Sequence, residues 1–245
     1  MVQLRGETQM DNDRILLSVK RYKQHPSECA VAAISSVANF YDANLDYSKV
    51  REMLTEEQKS EGLYTSEAAR LLNKLGFSRV SVVTADLCMV DFSWANFNSA
   101  KLLEKLALMI QFYKKRKDKM NVDYVQDMVS WLEAKDCENQ LIIDNDWQKY
   151  IRRHLNIGRP VVASLNWTST FKRKKSSDAA NPDITGASEE HAVVVRGYDN
   201  KGVFVVDSHH QCYTGRLTKY HKGYYKLPWS KFLTNIASGD LILVS

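Results

Sequence analysis

Between Arg159 and Pro160 the spacing of the apolar residues changes period, and no other feature limits the possible folds so sharply. From residue 27 to about 157 apolar side chains recur three and four apart, the mark of helices with one buried face. After Pro160 they come in short β-branched runs, PVVASL, HAVVVRGY and VFVVD, each closed by a turn-forming cluster. Two halves of different architecture follow, the first mostly helical and the second mostly strands.

Within the first half, Ser27 is placed to cap a helix running to about Tyr41, and the Asp46/Ser48 region opens a shorter one ending near Leu54. Thr65 or Ser66 is placed to cap a third, which stops at Gly76. A strand over Arg79–Thr84 follows. Three more helices are expected between Asn98 and Asn156, carrying the apolar stripes Leu102–Tyr113, Val122–Leu132 and Trp147–Leu155. In the second half, Asp199-Asn-Lys-Gly202 reads as a hairpin turn between two strands. A three-residue loop there would put Asp207 opposite Val195, four residues from His191, an axial offset of roughly 13 Å at ~3.4 Å per residue that twist or a bulge would have to close. Tyr224–Leu227 and Leu241–Val244 are further strand candidates, with Pro228 at the first turn of a short helix. Residues 168–190 form an unusually long polar loop, either a lid beside a site or an insertion.

No segment reaches the roughly 18 uninterrupted apolar residues of a membrane-spanning helix, and the polar first thirteen residues lack a signal-peptide core. A cytoplasmic protein without membrane attachment is expected, with export by a leaderless route left open. The net charge of +5 comes largely from the runs Lys114–Lys119 and Lys172–Lys175, which read as solvated surface; with no zinc-finger or RNA-binding signature, nucleic acid is not the expected partner. Four widely spaced cysteines form neither a disulfide framework nor paired zinc ligands. Asp207, His209, His210 and Cys212 offer zinc-type ligands, yet adjacent histidines diverge on a strand and no second ligand pair follows. No metal and no cofactor is expected.

Cys29 is expected at the second or third position of the first helix. Unpaired N–H groups and partial positive charge at a helix N-terminus favour a thiolate there, the more so beside an imidazolium. His191 begins a valine-rich strand, leaving a titratable ring at a strand end. Asp207 ends the next strand of the same hairpin, where an acid can orient an imidazole and stabilise its cation. A nucleophile, a base and an orienting group are thus available.

Gln24, the Ser27-Glu28-Cys29 segment with its small-residue helix, GRPVVASL, and HAVVVRGYD followed by a strand-ending aspartate together resemble the bacteriocin-leader-processing (double-glycine) cysteine peptidases and their peptidase-like relatives, members of the papain-like clan. The resemblance implies an α+β, papain-like fold: a single domain over residues 1–245, with a helical lobe of about 20–157 packed on a mostly antiparallel β-sheet lobe of about 158–245, and a helical insertion at about 95–145. It also implies that Gln24 donates to an oxyanion hole alongside the backbone N–H of Cys29. Three departures from the family pattern stand out: Gln24 lies five positions before the cysteine rather than six, Ala30 replaces a glycine, and Ser208 replaces a proline. No transporter segment follows, so a free-standing enzyme is implied.

The expected function is a cysteine-dependent amide hydrolase acting on a peptide or protein through Cys29, His191, Asp207 and Gln24. The same residues serve a glutamine deamidase or a transamidase, and an inactive peptide-binding module keeps the same fold. The oligomeric state is not legible.

Overall fold

A computed structural model describes residues 14–172, 174–175, 181–209, 223–236 and 239–245. His210, Cys212, His221 and parts of the Lys172–Lys175 run and of the 168–190 loop lie outside the described residues. The fold is mixed α and β. An eight-stranded sheet runs in the order β3 (Glu138–Ile143), β2 (Arg79–Thr84), β8 (Asp240–Val244), β4 (Val161–Asn166), β5 (Glu190–Asp199), β6 (Gly202–Val206), β7 (Tyr224–Pro228), with β1 (Ile15–Leu16) pairing on β5. Every pairing is antiparallel except β2 with β3.

Two strands from the helical half therefore join the sheet, and β3 was not expected. A parallel neighbour needs a long crossover, which is supplied by α5 (Ser99–Lys115) and α6 (Lys119–Leu132), each capped by a side chain: Asn98 accepts from the Lys101 N–H and Asp118 from the Asn121 N–H. The crossover helices bury Leu106, Val125, Met128 and Trp131. They are tied to α4 (Thr65–Lys74) by Asp127, which accepts from the Ser66 hydroxyl at 2.7 Å and from Arg70 at 2.6 Å.

α1 (Cys29–Tyr41) lies along β5 and is buried from Ala30 to Ala38. Its alanines and valines explain this: small side chains let a helix approach a sheet closely at little entropy cost. Its start corrects one expectation. Ser27 is not the cap; it adopts a left-handed φ of 62°, and Glu28 takes the cap position without a side-chain capping bond. The Glu28 carboxylate, almost wholly buried, instead receives Arg51 at 2.9 Å and the Tyr47 hydroxyl. Cys29 is thereby the first helical residue rather than the second or third.

The cap of α4 shifts for a similar reason. Thr65 and Ser66 spend their hydroxyls on Asp240 and Asp127, so Tyr64 holds the cap position and Glu67 reaches back to its N–H at 2.9 Å. The remaining helices are α2 (Tyr47–Glu52), α3 (Glu56–Glu61), which was not expected, α7 (Trp147–Asn156), α8 (Trp167–Phe171), α9 (Pro182–Thr185) and α10 (Trp229–Asn235). Pro228 ends β7 and caps α10 rather than opening it. No helix among the described residues is long and apolar enough to cross a membrane.

Candidate active site

The hairpin β5–β6 decides where His191 and Asp207 fall. Its turn holds two residues, with Asp199 opposite Gly202, because the Asp199 carboxylate accepts from the N–H groups of both Lys201 and Gly202. The register then shifts between Val195 and Gly197, so that Val206 faces Val194. This differs from the expected three-residue loop. Continued one step, the ladder would set Asp207 against Val193, two residues from His191, and the axial gap is halved to roughly 7 Å. The side chains close the rest: His191 Nε2 lies 2.8 Å from Asp207 Oδ1.

Asp207 is held from several sides. Its second oxygen accepts from the Tyr225 hydroxyl at 2.8 Å and its first also accepts from the His209 N–H at 2.8 Å. Its own N–H donates to the Gly223 carbonyl at 2.8 Å, and the Arg21 guanidinium donates to the carbonyls of Asp207 and Ser208 at 2.5 and 2.9 Å. Gly223 is required here, since a Cβ would sit 2.1 Å from Arg21 Nε and 2.5 Å from the Asp207 carbonyl oxygen.

With Nε2 engaged by Asp207, Nδ1 of His191 is the ring nitrogen left to act on Cys29, whose sulfur lies close enough for each group to shift the other. Burial pushes the Cys29 thiol up, but the hydrogen bond and charge of His191, with the backbone N–H groups of Ala192 and Ala30, bring it below its ordinary value. Burial likewise opposes the imidazolium, and the charge and hydrogen bond of Asp207, helped by the Cys29 sulfur, overcome it and raise His191 to about 10. Asp207 resists burial through the same partners and stays below the usual carboxylate range. The arrangement favours a thiolate–imidazolium pair at neutral pH.

Gln24, half-buried, lies beside the same groove. Its Oε1 accepts from the Ser208 hydroxyl at 2.6 Å, which fixes the plane of the amide and turns its NH2 group away from Ser208. Two of the departures in the sequence thus touch one another. Ser208, one of those departures, is the residue that holds Gln24, another.

Three contributors, Trp167, Tyr225 and Arg21, gave no signal in the sequence. Trp167, at the start of α8, stacks on the His191 ring with centroids 4.5 Å apart and planes 20° from parallel, and His209 meets the same indole edge-on at 4.4 Å. Tyr225 and Arg21 complete the shell around Asp207. A tryptophan after a strand and a tyrosine within one are ordinary core patterns, so only three-dimensional proximity marks them. Cavities of about 820 and about 340 Å3 open on either side, meeting at Cys29, Glu190 and His191. Among the described residues no group of three or more His, Cys, Asp or Glu is placed to hold a metal ion.

Residues 89–235, more than half of the chain, match the model of the Peptidase_C39 like family. The chain belongs to that family. Membership makes this Peptidase_C39-like protein a cysteine peptidase of the papain-like kind. The matched span contains His191 and Asp207 and begins after Gln24 and Cys29. A solved structure described as a candidate C39-like peptidase from Bacillus anthracis is similar at 14% identity and a TM-score of 0.47, over 96% of this chain and 98% of that one. No curated protein matches the chain.

Proposed function

We propose that the protein hydrolyses an amide bond of a peptide or protein with Cys29 as nucleophile, His191 as general base and acid, and Asp207 as the group that orients and stabilises the imidazolium. The helices before residue 157 and the strands after it act as the two walls of the groove. The observation that carries this reading is the 2.8 Å hydrogen bond between His191 and Asp207, with Cys29 beside the same ring where two cavities meet.

In the first step the Cys29 thiolate attacks the carbonyl carbon, forming a C–S bond while the carbonyl pair moves to oxygen. The backbone N–H of Cys29, which has no acceptor within its helix, and the side-chain NH2 of Gln24 are the donors for that oxyanion. As the oxyanion collapses, the C–N bond breaks and Nδ1–H of His191 gives its proton to the leaving amine. A thioester remains. Water then attacks it, loses its proton to Nδ1, and the C–S bond breaks, releasing the acid and restoring the thiolate–imidazolium pair. An amine in place of water gives a transamidase, and a glutamine side chain in place of a peptide bond gives a deamidase.

Alkylation by iodoacetamide tests the core of the proposal. Cys29 should react faster than Cys88 and Cys137 at pH 7, and His191→Ala should abolish that preference; a variant whose Cys29 keeps the wild-type rate would overturn it. Mass spectrometry of a candidate protein mixture treated with wild type and with Cys29→Ala then separates cleavage, a deamidation shift and a cross-link.

A further inference from the structure

The smaller cavity runs from Cys29 between α4, α6 and the strands β4, β5 and β8, and its chemistry is one-sided. Asp86, Glu190 and Asp240 all line it, and no lysine or arginine does. The only other group there able to carry positive charge, His191, is already paired with Asp207. None of the three carboxylates makes an ion pair among the described residues.

Asp240 is the decisive member. It is 5% exposed, its Oδ2 accepts from the Thr65 hydroxyl at 2.6 Å, and its Oδ1 makes no hydrogen bond of full geometry, the cross-strand Thr84 side chain easing its burial only in part. Buried carboxylates are ordinarily paired or fully hydrogen-bonded, because an unmet acceptor loses its hydration without return. Burial lifts Asp240 to about 6, with Asp86 and Glu190 adding to the rise, and Glu190 is itself raised by desolvation and by Asp86. Such an arrangement is costly when empty and favourable around a cation.

The shape selects the kind of cation. A metal would need several ligands converging on one point, and no such grouping exists among the described residues. Much of the wall is apolar, including Leu63, Ala68, Val162 and Ile242, and suits a methylene stem that ends in a charged head. We propose that this cavity is the specificity pocket of the enzyme and receives a lysine or arginine side chain of the peptide, close to the bond cut at Cys29. The inference rests on the peptidase reading above and names its substrate class.

The test uses the full chain and irreversible peptidyl acyloxymethyl ketones that label Cys29, identical except for lysine, arginine, norleucine or glutamate at each of the two positions nearest the warhead. Rates are read by intact mass, with iodoacetamide run in parallel. At one of the two positions lysine and arginine should label at least ~10-fold faster than norleucine, with glutamate slowest. Asp240→Asn and Glu190→Gln should each bring the lysine-to-norleucine ratio towards one. Norleucine equal to or faster than lysine, or a ratio untouched in both variants, overturns the pocket assignment while His191-dependent iodoacetamide labelling keeps the nucleophile intact. Loss of that His191 dependence overturns the parent reading instead. Glu190, at the exposed rim, carries the comparison should the Asp240 variant fail to fold.

Discussion

Replacing Asp207 by asparagine keeps the shape of the orienting group and removes its charge, and the structure sets the size of the effect. The imidazolium and carboxylate charges, whose nearest atoms are 2.8 Å apart, interact by about 4 kcal/mol at a charge separation of ~4 Å and an effective dielectric of ~20, or about three pKa units. That is comparable to the rise of His191 from its ordinary 6.5 to about 10. In Asp207→Asn, burial acts on His191 with only the Cys29 sulfur left to oppose it, and the ring falls towards its ordinary 6.5. The imidazolium beside Cys29 is then lost at neutral pH, and the thiol returns to its ordinary 9.0 or higher. A thiol at 9.0 is only about 1% ionised at pH 7, and one above it less, so the alkylation rate should fall by about 100-fold or more from that of a fully ionised thiol. The assay is the second-order rate of iodoacetamide labelling of Cys29 against pH at fixed ionic strength, with the far-ultraviolet dichroism of both proteins compared. The midpoint of the wild-type curve should lie well below that of the variant. Coincident curves from two folded proteins would refute the electrostatic reasoning.

Ser208→Ala releases Oε1 of Gln24 and, through loss of one hydrogen bond worth about 0.5–1.5 kcal/mol, should lower kcat up to ~10-fold with little change in KM; Ser208→Thr, which keeps the hydroxyl, should restore most of it. Because the folded pKa of His191 lies above its unfolded value, the stability it contributes is fully present below ~6.5 and lost as pH rises through about 10. The Tm should therefore fall from pH 7 to pH 10 by more in the wild type than in His191→Gln. Asp240, raised from 3.8 to about 6, is neutral towards the fold below about 4 and works against it above 6, by about 3 kcal/mol. Asp240→Asn should accordingly raise the Tm at pH 8 and leave it nearly unchanged at pH 3.5, as differential scanning calorimetry would report.

What the sequence carries and what it hides can be stated in residues. The run of alanines and valines after Cys29 announces a buried helix, and the β-branched runs after Pro160 announce strands, because burial on one face or two leaves a local period. β3 escapes that rule: Glu138–Ile143 has only three apolar residues at its end, and its place depends on lying parallel to β2 across two intervening helices. The meeting of His191 with Asp207 was legible as a parity but not as a distance, since a bulge at Arg196 and a turn one residue shorter leave no local composition signal. Asp240 looks like a turn residue ahead of a strand. Nothing in SGDLILV records that its neighbours in space are Thr65, Asp86 and Glu190.

The crossover helices α5 and α6 do more than carry the chain from β2 to β3. Through Met120, Asn121 and Tyr124, α6 forms one wall of the smaller cavity, while the groups around the sulfur come from α1, β5 and the end of β6. On the pocket assignment proposed above, α6 would help to choose a guest while taking no part in breaking its bond. Substitutions along the facing side of α6 would then retune selectivity while leaving His191 and Asp207 in place, so that one chemistry could serve more than one diet.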